Sequence, residues 1–135
     1  MIVAIDFDGT IVEGEYPTIK NLMPDALECI TELAKDNYII INTCRSNEHL
    51  LTAINYLLEE GIPFHRVNDN HPGQTKFYNN NSRKIFAPVY VDESNVFGFK
   101  GWKEVTKEIQ RMSSDKKTEL FSEVILGKIA EKCNK

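Results

Sequence analysis

Ile2-Val3-Ala4-Ile5 is an unbroken apolar run that stops at Asp6, and the same figure returns twice. Tyr38-Ile39-Ile40-Ile41 runs out into Asn42-Thr43-Cys44-Arg45-Ser46, and Ala87-Pro88-Val89-Tyr90-Val91 ends at Asp92-Glu93. Continuous β-branched runs without polar alternation are the pattern of strands buried on both faces, and such strands need helices to cover them. The intervening segments supply them. Pro24 at a first helical position, acidic Asp25 and Glu28, and Leu27, Ile30 and Ala34 at helical spacing predict a helix over 24–36. Ser46 is placed to cap a second helix whose Leu50, Ile54, Leu57 and Leu58 share a face and which Gly61 and Pro63 close. Ile62 to Val67 reads as a weaker strand, and Asn68 to Lys84 as a polar surface loop with a short helix in it. Trp102, Val105, Ile109 and Met112 mark a further amphipathic helix, and Leu120, Phe121, Val124, Ile125 and Ile129 give 115–133 an apolar stripe suited to covering the sheet or to self-association. The expected fold is α/β: a doubly wound, Rossmann-like parallel sheet with right-handed crossovers and helices on both faces.

A chain of 135 residues without internal repeat or linker suits one domain, 1–135, with a core over 1–112 and a helical tail over 115–133. A formal charge of −4 gives no bulk attraction to nucleic acid or anionic lipid. Cys29, Cys44 and Cys133 stand far apart with no C-x-x-C spacing, the usage of free thiols in a reducing compartment, and no stretch has the length of a membrane span or a signal peptide. The expected location is the cytoplasm.

In doubly wound sheets ligands collect beyond the carboxyl ends of the strands, where this sequence puts its polar clusters: Asp6/Asp8, Thr43/Arg45 and Asp92/Glu93. Asp6, Asp8, Asp92 and Glu93 gathered in a small volume repel one another unless a cation neutralises them. Oxygen ligands with no His or Cys in ligand spacing favour Mg²⁺ over zinc, and Gly9 falls at the wrong loop position for an EF-hand. A metal, backbone N–H groups at the Gly9 turn, the Thr43 hydroxyl and a nearby ammonium together suit a phosphate group, so phosphoryl transfer is the chemistry expected.

Asp6-Phe7-Asp8-Gly9-Thr10 after an apolar strand, Thr43 after the second strand, a Lys before the fourth and Asp92-Glu93 at its end resemble, in order, the four motifs of the haloacid dehalogenase superfamily. The likeness spans residues 2 to about 95 and is nearest to small bacterial phosphatase-like members. It implies that Asp6 is the nucleophile forming an aspartyl-phosphate and Asp8 the general acid and base. It implies too that Mg²⁺ is held by the Asp6 carboxylate, the Asp8 backbone carbonyl and Asp92, and that Thr43 and Lys84 bind phosphate oxygens. Asp8 is the acid that separates phosphatases from dehalogenases in this superfamily. The second acid of the family's pair is Asp, where Glu93 is one methylene longer. Lys84 is favoured over Lys76 as the motif lysine.

Neither the gap 11–23, a short flap, nor 61–84 has room for a cap domain, so a capless member is expected. Its substrate is then a phosphorylated small molecule or the phosphorylated end of a macromolecule, nucleic acid included, with no membrane partner. Arg45 is a candidate substrate contact or an ion-pair partner. Cys44 reads as a small buried filler, Trp102 as core, and His49, His65 and His71 as structural or solvated, with His71 nearest to a substrate role. Two other functions fit the same residue types: a receiver-like phospho-accepting domain, whose acceptor would be Asp69, and a non-catalytic regulatory protein on the same scaffold.

Overall fold

The computed structural model describes residues 1–125 and the side chains of residues 1–115. In chain order the elements are β1 (Ile2–Ile5), a ribbon of β2 (Val12–Glu13) and β3 (Asn21–Leu22), α1 (Ala26–Ala34), β4 (Tyr38–Ile41), α2 (Asn47–Glu59), β5 (Arg66–Val67), α3 (Pro72–Tyr78), β6 (Val89–Val91) and α4 (Trp102–Ile125). β5, β4, β1 and β6 lie side by side in that order as a parallel sheet, with Ile5 opposite both Ile41 and Val91. The fold is the expected α/β architecture, without a cap domain: the flap 11–23 holds only the β2–β3 ribbon, and 61–84 only β5 and α3.

Pleating sends Val3, Ile5, Ile39 and Ile41 into the main core, where they meet Ile30 and Leu33 of α1, Leu57 of α2, and Trp102 and Ile109 of α4. Each such side chain contributes roughly 1.5–3 kcal/mol by leaving water. Ala4 and Ile40 point the other way, into a smaller core with Ile85 and Ala87, flanked by Ile2 and Tyr38. The two faces are unequal because right-handed crossovers from β1 to β4 to β5 step in one direction and leave α1 and α2 on one side. The return from β5 to β6 reverses the step. The second face is therefore left to α3, whose capping His71 meets the Tyr38 ring edge-on at 4.4 Å, and to the extended segment after it.

Several element bounds differ from expectation. α1 starts at Ala26 because Asp25 takes a left-handed conformation (φ 64°), which leaves Pro24 outside the helix. Ser46 holds the N-cap position of α2, but its side chain makes no cap bond. The third strand shrinks to Arg66–Val67. The helix from Trp102 does not break near 113 but continues to Ile125, so the tail expected as a separate helix from 115 begins inside it, and 126–135, with Cys133, lie outside the described residues.

Candidate active site

The chain leaves β1 toward β4 on one side and returns to β6 on the other, so the gap between β1 and β6 is the topological switch point where such sheets bind ligands. Asp6 follows β1 and Asp92 follows β6. The Asp6 N–H donates to the Val91 carbonyl at 2.9 Å, carrying the ladder one residue past the strands and setting the two acids side by side.

The loop beyond Asp6 is built on one carbonyl. Phe7, fully buried, accepts the N–H groups of Thr10, Ile11 and Val12 at 3.3, 2.9 and 3.2 Å. Closing so tight a turn requires Gly9 at φ 76°, a left-handed conformation that costs other L-residues about 1–2 kcal/mol. The Gly9 N–H donates to the Val12 carbonyl at 2.9 Å, so the expected phosphate contact from this amide is not available: its hydrogen is used to close the loop. What Gly9 supplies is room. A Cβ there would stand 3.0 Å from Cγ and Cδ of Glu93, which lies across it.

Thr10, completely buried, ties that acid to the loop. Its hydroxyl donates to Glu93 Oε2 at 3.0 Å and accepts the Glu93 N–H at 3.1 Å, while its carbonyl accepts Trp102 Nε1–H at 2.8 Å. Trp102 is core as expected, and also a brace for the site. The extra methylene of Glu93 folds its carboxylate back toward Asp6. One carboxylate oxygen from each of Asp6, Asp92 and Glu93 lies within 4.8 Å of the other two.

Three acids at that spacing strain their own ionisation. The Asp6 carboxyl is pushed up to about 8, first by burial, then by its hydrogen bond to Glu93 and by the charges of Asp92 and Glu93, with the Phe7 backbone N–H pulling the other way. Glu93 is held below its ordinary value, chiefly by the hydrogen bond from Asp6. The three offer only hard carboxylate oxygens, a donor set that could hold a divalent metal ion.

Asp8 does not join the three. Both its oxygens accept from Arg45, Oδ2 from Nε at 2.8 Å and Oδ1 from Nη2 at 2.7 Å. Arg45 is 2% exposed, so the structure turns it inward, as an ion-pair partner and not as the open substrate contact that was its other reading. Thr43, just past β4, accepts the Arg45 N–H on its hydroxyl oxygen at 3.1 Å and keeps its own hydroxyl proton to donate. Asn68 clamps the Thr43 backbone from across the rim: its Oδ1 accepts the Thr43 N–H at 2.8 Å and its Nδ2 donates to the Thr43 carbonyl at 2.9 Å. That clamp was not foreseen. Its one sequence signal is an Asn immediately after a strand, a residue type that tolerates the left-handed conformation found here at φ 50°.

The lysines stay apart from the acids. Lys84 stands with Nζ 5.4 Å from the Tyr90 ring centroid, on the face that Tyr90 shares with Ala4, and Lys76 lines a polar cavity of about 410 Å³ with Arg66, Asp69 and Asn70. Among the described residues neither forms an ion pair with Asp6, Asp92 or Glu93. Asp69 is taken up by Arg66, at 2.5 Å, and by Asn81. Cys44 is exposed, not a buried filler. His71 caps α3 by accepting the Gly73 N–H, and His65 accepts the Ile39 N–H, both structural uses. No helix among the described residues is long and apolar enough to cross a membrane.

No family model and no curated protein matches the chain. A solved structure of a conserved protein from Bacteroides thetaiotaomicron is similar, with a TM-score of 0.74 and 33% identity over 83% of this chain and 91% of that one. At that identity and coverage, this chain belongs to the same family as the conserved Bacteroides protein.

Proposed function

We propose that this protein is a Mg²⁺-dependent phosphomonoester hydrolase of the haloacid dehalogenase type, working in the cytoplasm through an aspartyl-phosphate on Asp6. The observation that carries this reading is the meeting of Asp6, Asp92 and Glu93 at the switch point between β1 and β6, with Asp8 two residues beyond the nucleophile. Asp6, Asp92 and Glu93, with the Asp8 carbonyl, would hold the ion. When bound it would offset the negative charge of carboxylates and phosphate, which otherwise keeps an anionic nucleophile away from an anionic ester.

In the first step a carboxylate oxygen of Asp6 bonds to phosphorus as the ester P–O bond breaks, and Asp8 passes its proton to the departing alkoxide. In the second, water attacks phosphorus, Asp8 takes its proton, and the Asp6–phosphorus bond breaks to release inorganic phosphate. Thr43, its proton free and its backbone clamped by Asn68, would donate to a phosphate oxygen. Lys84 would swing from the Tyr90 ring to a second one. The open rim around the β2–β3 flap suits a phosphorylated small molecule or an exposed phosphorylated end. The receiver alternative loses support because Asp69, its required acceptor, is paired with Arg66 and lies outside the acidic group.

The test is hydrolysis of 4-nitrophenyl phosphate with and without Mg²⁺. Turnover that needs Mg²⁺ and is lost in both Asp6→Asn and Asp8→Asn is expected. An inert wild type, or an Asp6→Asn variant with full activity, would overturn the reading.

A further inference from the structure

Arg45 is the most deeply buried charged side chain near the rim, and its bonds run to three different parts of the protein. Nε and Nη2 hold the two oxygens of Asp8, Nη2 also donates to the Pro17 carbonyl at 3.0 Å in the flap, and Nη1 donates to the His49 carbonyl at 3.3 Å in α2. Its guanidinium carbon lies 5.1 Å from the ring centroids of both Phe7 and Tyr16, so an aromatic ring stands near it from the loop and another from the flap. An exposed ion pair of this kind fixes little. A buried planar fork that engages both carboxylate oxygens sets the plane of the carboxylate and leaves only its outward lone pairs for a proton. The Asp8 side chain is 33% exposed, so those lone pairs meet solvent while the inner ones meet Arg45.

We infer that Arg45 is a positioning residue: it aims Asp8 at the leaving-group oxygen and makes that aim depend on the flap. This rests on the phosphomonoesterase reading and adds to it. The flap reaches Arg45 through the Pro17 carbonyl and the Tyr16 ring. A flap displaced from the rim takes away one hydrogen bond and one ring from the guanidinium, and Asp8 loses its fixed plane. Tyr16 is 57% exposed, and its ring centroid lies 5.1 Å from the guanidinium carbon that holds Asp8.

Protonation by Asp8 in the first step matters little to a nitrophenolate, which leaves unaided, and a great deal to an alkoxide, whereas its base role in the second step is common to both esters. The experiment therefore compares kcat/KM, which reports the first step and not the shared second one, for 4-nitrophenyl phosphate and for ethyl phosphate in the wild type, Arg45→Lys, Asp8→Asn and the double variant. Lysine keeps the charge and loses the fork. Arg45→Lys is expected to lose on the order of 30-fold more kcat/KM on ethyl phosphate than on 4-nitrophenyl phosphate. The double variant is expected to be no slower on ethyl phosphate than Asp8→Asn alone. Tyr16→Ala, a surface change that leaves the core intact, is expected to show the same split at smaller size, and it carries the test if Arg45→Lys does not fold. Equal losses on the two esters, or a further loss in the double variant, would overturn the positioning role while the hydrolase reading stands. A wild type inert toward both esters would overturn the two together.

Discussion

Glu93 lies across Gly9, with its Cγ and Cδ occupying the space a β-carbon at position 9 would need, and Thr10 bonds the same side chain from below. The loop beyond Asp6 and the acid at the end of β6 are thereby one unit. Gly9→Ala is expected to push Glu93 aside, weaken Mg²⁺ binding measured by calorimetry, and lower kcat at least 10-fold. Gly61→Ala is the control: Gly61 has a similar φ of 71° with nothing within 4 Å of the added atom. It should suffer the same backbone cost of about 1–2 kcal/mol and keep full activity.

The raised Asp6 carboxyl makes the metal-free protein sensitive to pH. Between its ordinary 3.8 and about 8, folded Asp6 keeps a proton that the unfolded chain has released, so stability falls as pH rises through that window. Glu93, shifted downward, acts below its ordinary 4.5 and leaves the range from pH 5 to pH 8 untouched. In EDTA the Tm of wild type is expected to drop more from pH 5 to pH 8 than that of Asp6→Asn. Mg²⁺ competes with the proton, so its affinity should climb over the same range. Equal pH slopes for the two proteins would contradict the assignment of the proton to Asp6.

Asn68 holds Thr43 by both of its backbone groups. Asn68→Ala removes both bonds and sets a less tolerant residue at φ 50°, which is expected to cost about 1–3 kcal/mol in chemical denaturation. Because Thr43 then loses its place on the rim, KM for 4-nitrophenyl phosphate should rise several-fold. An unchanged KM would show that the clamp serves stability alone.

The two lysines make opposite predictions. Lys84→Ala is expected to lower kcat/KM by about 100-fold, since a phosphate oxygen loses its ammonium partner, whereas Lys76→Ala, in the cavity with Asp69, should stay within about twofold of wild type. A reversed result would move the phosphate-binding role to Lys76.

Trp102 joins the core to the loop through Nε1 and the Thr10 carbonyl. Trp102→Phe keeps most of the apolar volume and loses that bond, leaving a buried carbonyl unpaired. A loss of about 1–3 kcal/mol in stability is expected, read by urea unfolding.

Much of this arrangement was legible in the residues because it depends on periodicity and adjacency. The strand runs 2–5 and 38–41 are continuous and apolar, so their bounds matched, and their polar ends mark the rim. The meeting of Asp6 with Asp92 follows from strand order, which right-handed crossovers restrict. What could not be read was side-chain direction. Arg45 and Lys84 are ordinary surface types in the sequence, and only the packing of Phe7 and Tyr16 around one guanidinium, or Tyr90 beneath one ammonium, decides where each goes. Glu93 was similarly opaque: its added methylene mattered only in light of the empty side of Gly9. The unequal faces of the sheet arise from the direction of the crossovers, which leaves the second face to the short helix that the polar stretch 68–84 was expected to hold.

If Asp6 accepts the phosphoryl group, the acyl phosphate it forms can be trapped. Protein turning over 4-nitrophenyl phosphate with Mg²⁺ is quenched in acid, reduced with borohydride and digested, and the peptides are read by mass spectrometry. Homoserine is expected at position 6, dependent on Mg²⁺ and absent when substrate is omitted. Reduction at Asp69 or any other residue, or active turnover with no modified peptide, would contradict this role for Asp6.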